Sequence, residues 1–294
     1  MHSIIYMFYS STLPLPNHPG FFLKRAPNVA NSGTSSSASK QSCSVNETFR
    51  SAPLHVIILL FLVLHTAIST NPLLHICSTK AGINHTTYPP YNNNLNILIS
   101  SLTHEAPLTG FALDTIGQGK DSLNGLALCR GDVPSRECKS CIVEAGREIS
   151  KRCPNDDNGG IIWYDNCMFK YSNKKFFGKV DYKNRFYMYN LQNVSTNAES
   201  FNEKTKELLS KLADKAELLS PMSFAVGEEE IGDSVKLYGL VQCTGDLSGK
   251  MCKKCLDSAI SEIGSCCDGK RGGRVVGGSC NFRYELYPFV RSSY

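Results

Sequence analysis

One cysteine pattern is written twice in this chain. Cys129, Cys138, Cys141, Cys153 and Cys167 form the first copy. Moving on by 114 residues lands on Cys243, Cys252, Cys255 and Cys267, and Cys280 closes the second copy after a one-residue slip. Four coincident positions mark a tandem duplication of one disulfide-bearing module. The 294 residues suit two domains of ordinary size. Hydrophobic residues make up 41% and charged residues 19%. Two cores are affordable at that composition, but small ones, which is where covalent staples matter most.

The N-terminal 69 residues read as a separate tract. Residues 1–50 are rich in Ser, Asn and Pro, show no periodicity, and carry Lys24, Arg25, Lys40 and Arg50. Residues 56–64 form an apolar run about half the length a bilayer span requires. Ala67 and Ser69 follow in the arrangement of a signal-peptide cleavage site. The expectation is an extension plus signal peptide over 1–69, cut near Ser69. The alternatives for 1–50 are a stretch foreign to the natural product, which is preferred, or a cytoplasmic tail on an uncleaved anchor. Parity favours removal: thirteen cysteines become twelve once Cys43 leaves, six per repeat. Four Lys/Arg and one Asp/Glu leave with the segment, so a net charge of +5 falls to +2. That balance is no nucleic-acid footprint. Sequons at Asn84 and Asn193 agree with secretion. The expected product is extracellular, with no stable membrane anchor once the signal is cut.

Each repeat then reads in one order, over 71–176 and 185–290. A strand-like lead (Leu73–Cys77; Arg185–Leu191) precedes an amphipathic helix (Asn94–His104; Phe201–Glu217), in which Leu208, Leu209, Leu212 and Ala216 recur at helical spacing. Two strand signals follow, the second ending in Gly-Leu-x-x-Cys both times, at Gly125 and Gly239. A second helix (Glu137–Lys151; Met251–Ile263) carries Cys-x2-Cys on one face, with Pro134 and Asp246/Ser248 as start signals. A hairpin closes each repeat. The predicted fold class is α+β: two tandem modules, each an antiparallel sheet packed by two helices and stapled by disulfides. The linker, near Phe176–Asn184, is short enough to bring the modules into contact.

The Cys-x2-Cys pairs admit three uses: structural bridges, a zinc site, or a redox dithiol. All seven histidines lie at or before His104, and repeat two has none. Structural disulfides are therefore the expectation, with no metal and no cofactor; a thiol redox or metal-binding protein is the alternative. No nucleophile–base pair, G-x-S-x-G or phosphate loop is present, so no enzyme is expected. Glu228-Glu229-Glu230 reads as a solvated loop rather than a calcium site, and Asp156-Asp157-Asn158-Gly159 as a turn.

The C-x8-C-x2-C spacing, with the trailing segment from Cys266 to Phe289, resembles the ginkbilobin-homologous domain. That is the extracellular salt-stress/antifungal module of plant cysteine-rich repeat secretory proteins and cysteine-rich receptor-like kinases. Two modules without a kinase resemble the secretory proteins. The resemblance implies bridges Cys77–Cys153, Cys129–Cys138, Cys141–Cys167, Cys243–Cys252 and Cys255–Cys280. Repeat two has Leu191 where repeat one has Cys77, so Cys267 lacks that partner and has Cys266 beside it. A vicinal bridge Cys266–Cys267 is expected, with two free thiols as the alternative. The resemblance also implies a mannose site of one Asn, one Arg and one Glu. Repeat two matches with Arg274 and Glu285, and Asn190 is the nearest candidate for the Asn. Repeat one has Ile161 and Ser172 at the Arg and Glu positions. Against sugar binding stands a plain cross-strand ion pair of Arg274 with Glu285. Trp163, Tyr164 and Phe169 offer a stacking surface, with core or inter-module packing preferred. The expected function is a secreted, non-enzymatic binding protein of stress or defence in the plant apoplast. Its partners would be mannose-type glycans through repeat two, in an antifungal role; the alternative is extracellular or receptor proteins. Mass mapping of the non-reduced mature protein should return no free thiol; two free thiols at 266 and 267 would contradict the vicinal bridge.

Overall fold

The computed structural model describes residues 3–4, 71–78, 89–153, 159–195, 197–219, 223–232 and 235–291. The expected signal peptide, Cys43, Asn84 and the expected turn at 156–158 lie outside them. Module one runs β1 (Leu74–Cys77), α1 (Pro89–Thr109), β2 (Phe111–Ile116), β3 (Leu123–Cys129), α2 (Ser135–Arg152), β4 (Gly159–Trp163) and β5 (Cys167–Ser172). Module two repeats this as β6 (Arg185–Tyr189), α3 (Ala198–Leu218), β7 (Phe224–Glu230), β8 (Lys236–Cys243), α4 (Gly249–Ile260) with a short turn of helix α5 (Ile263–Cys266), β9 (Gly272–Gly277) and β10 (Cys280–Glu285). The sheets have equivalent orders, β1-β4-β5-β3-β2 and β6-β9-β10-β8-β7, and every pairing within each five-strand set is antiparallel. Ser3–Ile4 add a two-residue parallel edge beside Phe186–Tyr187. The chain is α+β, as its pattern predicts.

Helix boundaries exceed the periodic runs where capping chemistry extends them. The Asn197 side chain accepts from the Glu199 and Ser200 backbone N–H groups, starting α3 three residues before Phe201. Ser248 caps α4 in the same way through Met251. Pro134 precedes α2 without a side-chain cap. At the other end, α4 stops at Ile260 rather than Ile263. Glu228–Glu230 is not a loop: these residues complete β7, paired with Lys236–Tyr238. Alternate positions reach solvent there, and Lys236 pairs with Glu228 at 2.6 Å.

The repeated Gly-Leu motif has a steric cause. A Cβ at Gly125 would stand 2.7 Å from Leu98 of α1, and one at Gly239 would stand 2.9 Å from Leu212 of α3. Glycine at these strand positions lets each long helix lie directly on its sheet. The leucine after each glycine turns to the opposite face.

That opposite face decides the architecture. Every residue of β3 is buried. Leu123, Ala127 and Cys129 face the helices, whereas Leu126 and Leu128 join Ile161, Trp163, Met168 and Phe186 in a third core. Met188 and Val276 of module two pack against it. The two sheets thus meet by the faces their helices leave bare. Trp163 lies edge-on to Phe186, with ring centroids 5.3 Å apart. Its indole N–H donates to the Gly277 carbonyl at 3.1 Å, and the Gln242 amide donates to the Cys129 carbonyl at 2.9 Å. Phe169, fully buried, belongs to the core of module one.

Three bridges pin α2. Cys129–Cys138 and Cys141–Cys167 join it to β3 and β5, and Cys77–Cys153 ties its end to β1. In module two Cys243–Cys252 and Cys255–Cys280 hold α4, and Cys266 is bonded to Cys267. The five bridges between residues apart in sequence contribute about 2–4 kcal/mol each, chiefly by restricting the unfolded chain, whereas Cys266–Cys267 closes no such loop. Trp163→Ala should cost about 3–5 kcal/mol of unfolding free energy, measured by urea denaturation followed by circular dichroism. A loss below about 1 kcal/mol would contradict a buried inter-module role for this ring.

Candidate functional site

Asn190, Arg274 and Glu285 converge at one end of the second sheet. Strand register sets Gly272 opposite Glu285 and Arg274 opposite both Arg283 and Met188. The Asn190 N–H donates to the Gly272 carbonyl at 2.9 Å, so Asn190 flanks the same position. Arg274 and Glu285 therefore share the face that looks toward module one. Gly272 is needed here, because any Cβ would collide with the Glu285 carboxylate laid over it.

The expected Arg274–Glu285 ion pair is not what forms. Arg274 reaches across the module boundary to Asp165, in the turn between β4 and β5, at 2.6 Å. Glu285 accepts instead from Arg283 of its own strand at 2.9 Å. Register explains the exchange: Arg283 sits two residues from Glu285 on the same face and nearer the buried centre. The Glu285 residue is 5% exposed, and its second oxygen, Oε2, has no hydrogen-bond partner. Burial pushes its carboxyl upward, against the pull of Arg283 and Arg274. Burial likewise lowers Arg283, helped by the facing Arg274 charge. Arg283 also donates to the Tyr287 hydroxyl at 3.0 Å and lies over the Phe289 ring. Asn190 is half-buried and uses its side-chain oxygen to accept from the Gln192 N–H at 2.9 Å.

The result is a row of four charges, Asp165–Arg274–Arg283–Glu285, of which the sequence singles out two. Asp165 lies 109 positions from Arg274, and no local pattern announces it. The space left between the modules here is about 60 Å³. Small-molecule sites run to roughly 300–1,000 Å³, so a sugar ring does not fit without displacing these groups. Trp163 and Tyr164 line this space, and both are buried rather than presented for stacking. Among the described residues no group of three or more His, Cys, Asp or Glu converges on a metal position. None of the described helices is long and apolar enough to cross a membrane. Asn193 stands exposed, its side-chain oxygen accepting from Lys270 at 2.8 Å.

For Asp165, burial acts to raise the carboxyl, but the Arg274 charge and hydrogen bond outweigh it and hold the group below the usual carboxylate range. A carboxylate depressed by folding stabilises fully above its unfolded value, near 3.9, and loses that contribution as pH falls through the folded value. Its side chain is 58% exposed, so screening keeps the pair under about 1 kcal/mol. The stability difference between wild type and Asp165→Asn should hold constant from about pH 5 to 7 and shrink as pH falls below the unfolded value of about 3.9. A difference that grows on acidification would contradict the pairing.

Comparison with known proteins agrees with this architecture. A family model described as salt stress response/antifungal matches twice, at residues 76–174 and 188–287. The "antimicrobial ginkbilobin-2-like protein" of Castanea crenata is 55% identical over 233 residues, covering 79% of this chain and 95% of its own length. "Cysteine-rich repeat secretory protein 38" of Arabidopsis thaliana is 50% identical, covering 82% and 96%. The tandem ectodomain of the Arabidopsis thaliana cysteine-rich receptor-like protein PDLP8 shares the fold, with a TM-score of 0.64 at 23% identity over 74% of this chain and 98% of that one. With two matched domains, close secreted relatives and a shared tandem fold, the chain belongs to the salt stress response/antifungal family of secreted cysteine-rich repeat proteins.

Proposed function

We propose that this is a non-enzymatic extracellular recognition protein of stress or defence whose two modules act as one rigid body, and that its partners are extracellular proteins rather than mannose. One observation carries the preference: Arg274 is held by Asp165 of the other module while Glu285 is buried under Arg283. The groups a sugar would need are already committed to the module joint. Breaking the Arg283–Glu285 pair would leave two largely buried charges unpartnered, a cost that neutral sugar hydroxyls do not repay. The antimicrobial name of the chestnut relative supports the defence setting, and the receptor-like ectodomains of shared fold support a surface built for protein contact. Exposed Asn193 is the glycan acceptor within the described residues.

A second reading rests on the convergence of Asn190, Arg274 and Glu285 at one sheet end. If Asp165 released Arg274, the family's mannose-type, antifungal site would be complete in module two. A mannan and glycan array separates the two. The preferred reading predicts no saturable mannose signal for wild type, and none for Asp165→Asn. Saturable binding by wild type that Asp165→Asn strengthens and Arg274→Ala abolishes would overturn it in favour of the sugar site.

A further inference from the structure

The place in module one that corresponds to this joint is built in the opposite way. Ser172 faces Gly159 and Ile161 faces Lys170 in register, as Glu285 faces Gly272 and Arg274 faces Arg283. Module two fills its place with paired charges. Module one, lacking the Arg and Glu, leaves a cavity of about 530 Å³ where the linker passes over β4 and β5. That volume lies in the range of small-molecule sites.

Its charge is one-sided. Lys170, Lys174, Lys179 and Lys183 line it, against a single carboxylate, Asp181. Asp181 is consumed internally: it pairs with Lys170 at 2.7 Å and accepts from the Lys183 and Asn184 backbone and the Asn184 side chain. Lys174, Lys179 and Lys183 are exposed, and no ion pair to them forms among the described residues. Three exposed lysines thus line this concavity together with the apolar Ile161, Val180 and Phe176 and the hydroxyl-bearing Ser78 and Ser172.

We propose that this cavity binds an anionic oligosaccharide, its carboxylates taken by Lys174, Lys179 and Lys183. A concavity of this volume suits a ligand of oligosaccharide size. Ammonium groups are compact point charges that hold separate carboxylates without the planar fork arginine uses for bidentate pairing. The apolar part of the lining suits the C–H face of a sugar ring, which a bare phosphate or sulfate would leave unmatched. A uronic-acid oligomer presents charge, hydroxyls and C–H faces together. This site is separate from the Arg274 joint and holds whether or not module two recognises proteins.

The test is titration calorimetry of the mature two-module protein with a galacturonic-acid trimer, beside mannotriose, an acidic hexapeptide and inorganic phosphate. The uronate should bind and weaken as salt is raised. Lys174→Gln/Lys179→Gln/Lys183→Gln should reduce affinity at least about tenfold with the melting temperature unchanged. Lys254→Gln, on α4, should leave binding as it is. Absence of uronate binding, an affinity untouched by the triple substitution, or equal binding of the peptide or phosphate would overturn the proposal.

Discussion

The structure depends on the second face of each sheet. Helices α1 and α2 cover one side of the first sheet and α3 and α4 one side of the second, leaving Leu126, Leu128, Trp163 and Met168 of one module and Phe186, Met188 and Val276 of the other without cover. Burying a side chain of this kind contributes roughly 1.5–3 kcal/mol relative to exposing it. Neither module alone can hide such a face, so the two sheets close on each other. Disulfides secure the inside of each module; the third core secures the pair.

Function follows from that closure. Once the sheets meet, polar groups at the edge of the contact must find partners or pay for desolvation. Arg274 and Arg283 face each other across β9 and β10, a repulsive pair unless neutralised. Asp165 neutralises one from the opposite module and Glu285 the other from the same strand. A residue pair that reads as a sugar site thereby becomes part of the joint. In module one the corresponding place holds Ile161 and Ser172; its one buried charge, Lys170, is neutralised by Asp181 of the linker, and the place stays open beside the linker lysines.

Much of this was legible in the chain itself. The duplicated cysteines and the paired Gly-Leu-x-x-Cys segments give two equivalent α+β modules, because cysteine spacing and close helix–sheet approach are local constraints. The near-continuous apolar run in β3 carried a signal for burial on both faces, and the short linker brought the modules into contact. The sharing of Asn190, Arg274 and Glu285 on one face was also accessible, since strand alternation fixes it. Asp165 was not: its role comes from the crossing of two modules, a distance no local pattern spans. Nor was the basic cavity. Lys179 and Lys183 fall within the short linker and Lys174 just before it, and nothing local shows that Asp181, the carboxylate among them, is used up by Lys170 and the turn at Asn184.

Trp163 is the sole tryptophan of the chain and sits in the inter-module core, so its fluorescence reports on that contact while far-ultraviolet circular dichroism reports on both modules. In a urea titration of the mature protein, the modules folding as one unit predicts that the two signals change together with a single midpoint. A fluorescence transition completed at lower urea than the dichroism transition would mean that the modules part before they unfold, and would contradict the account.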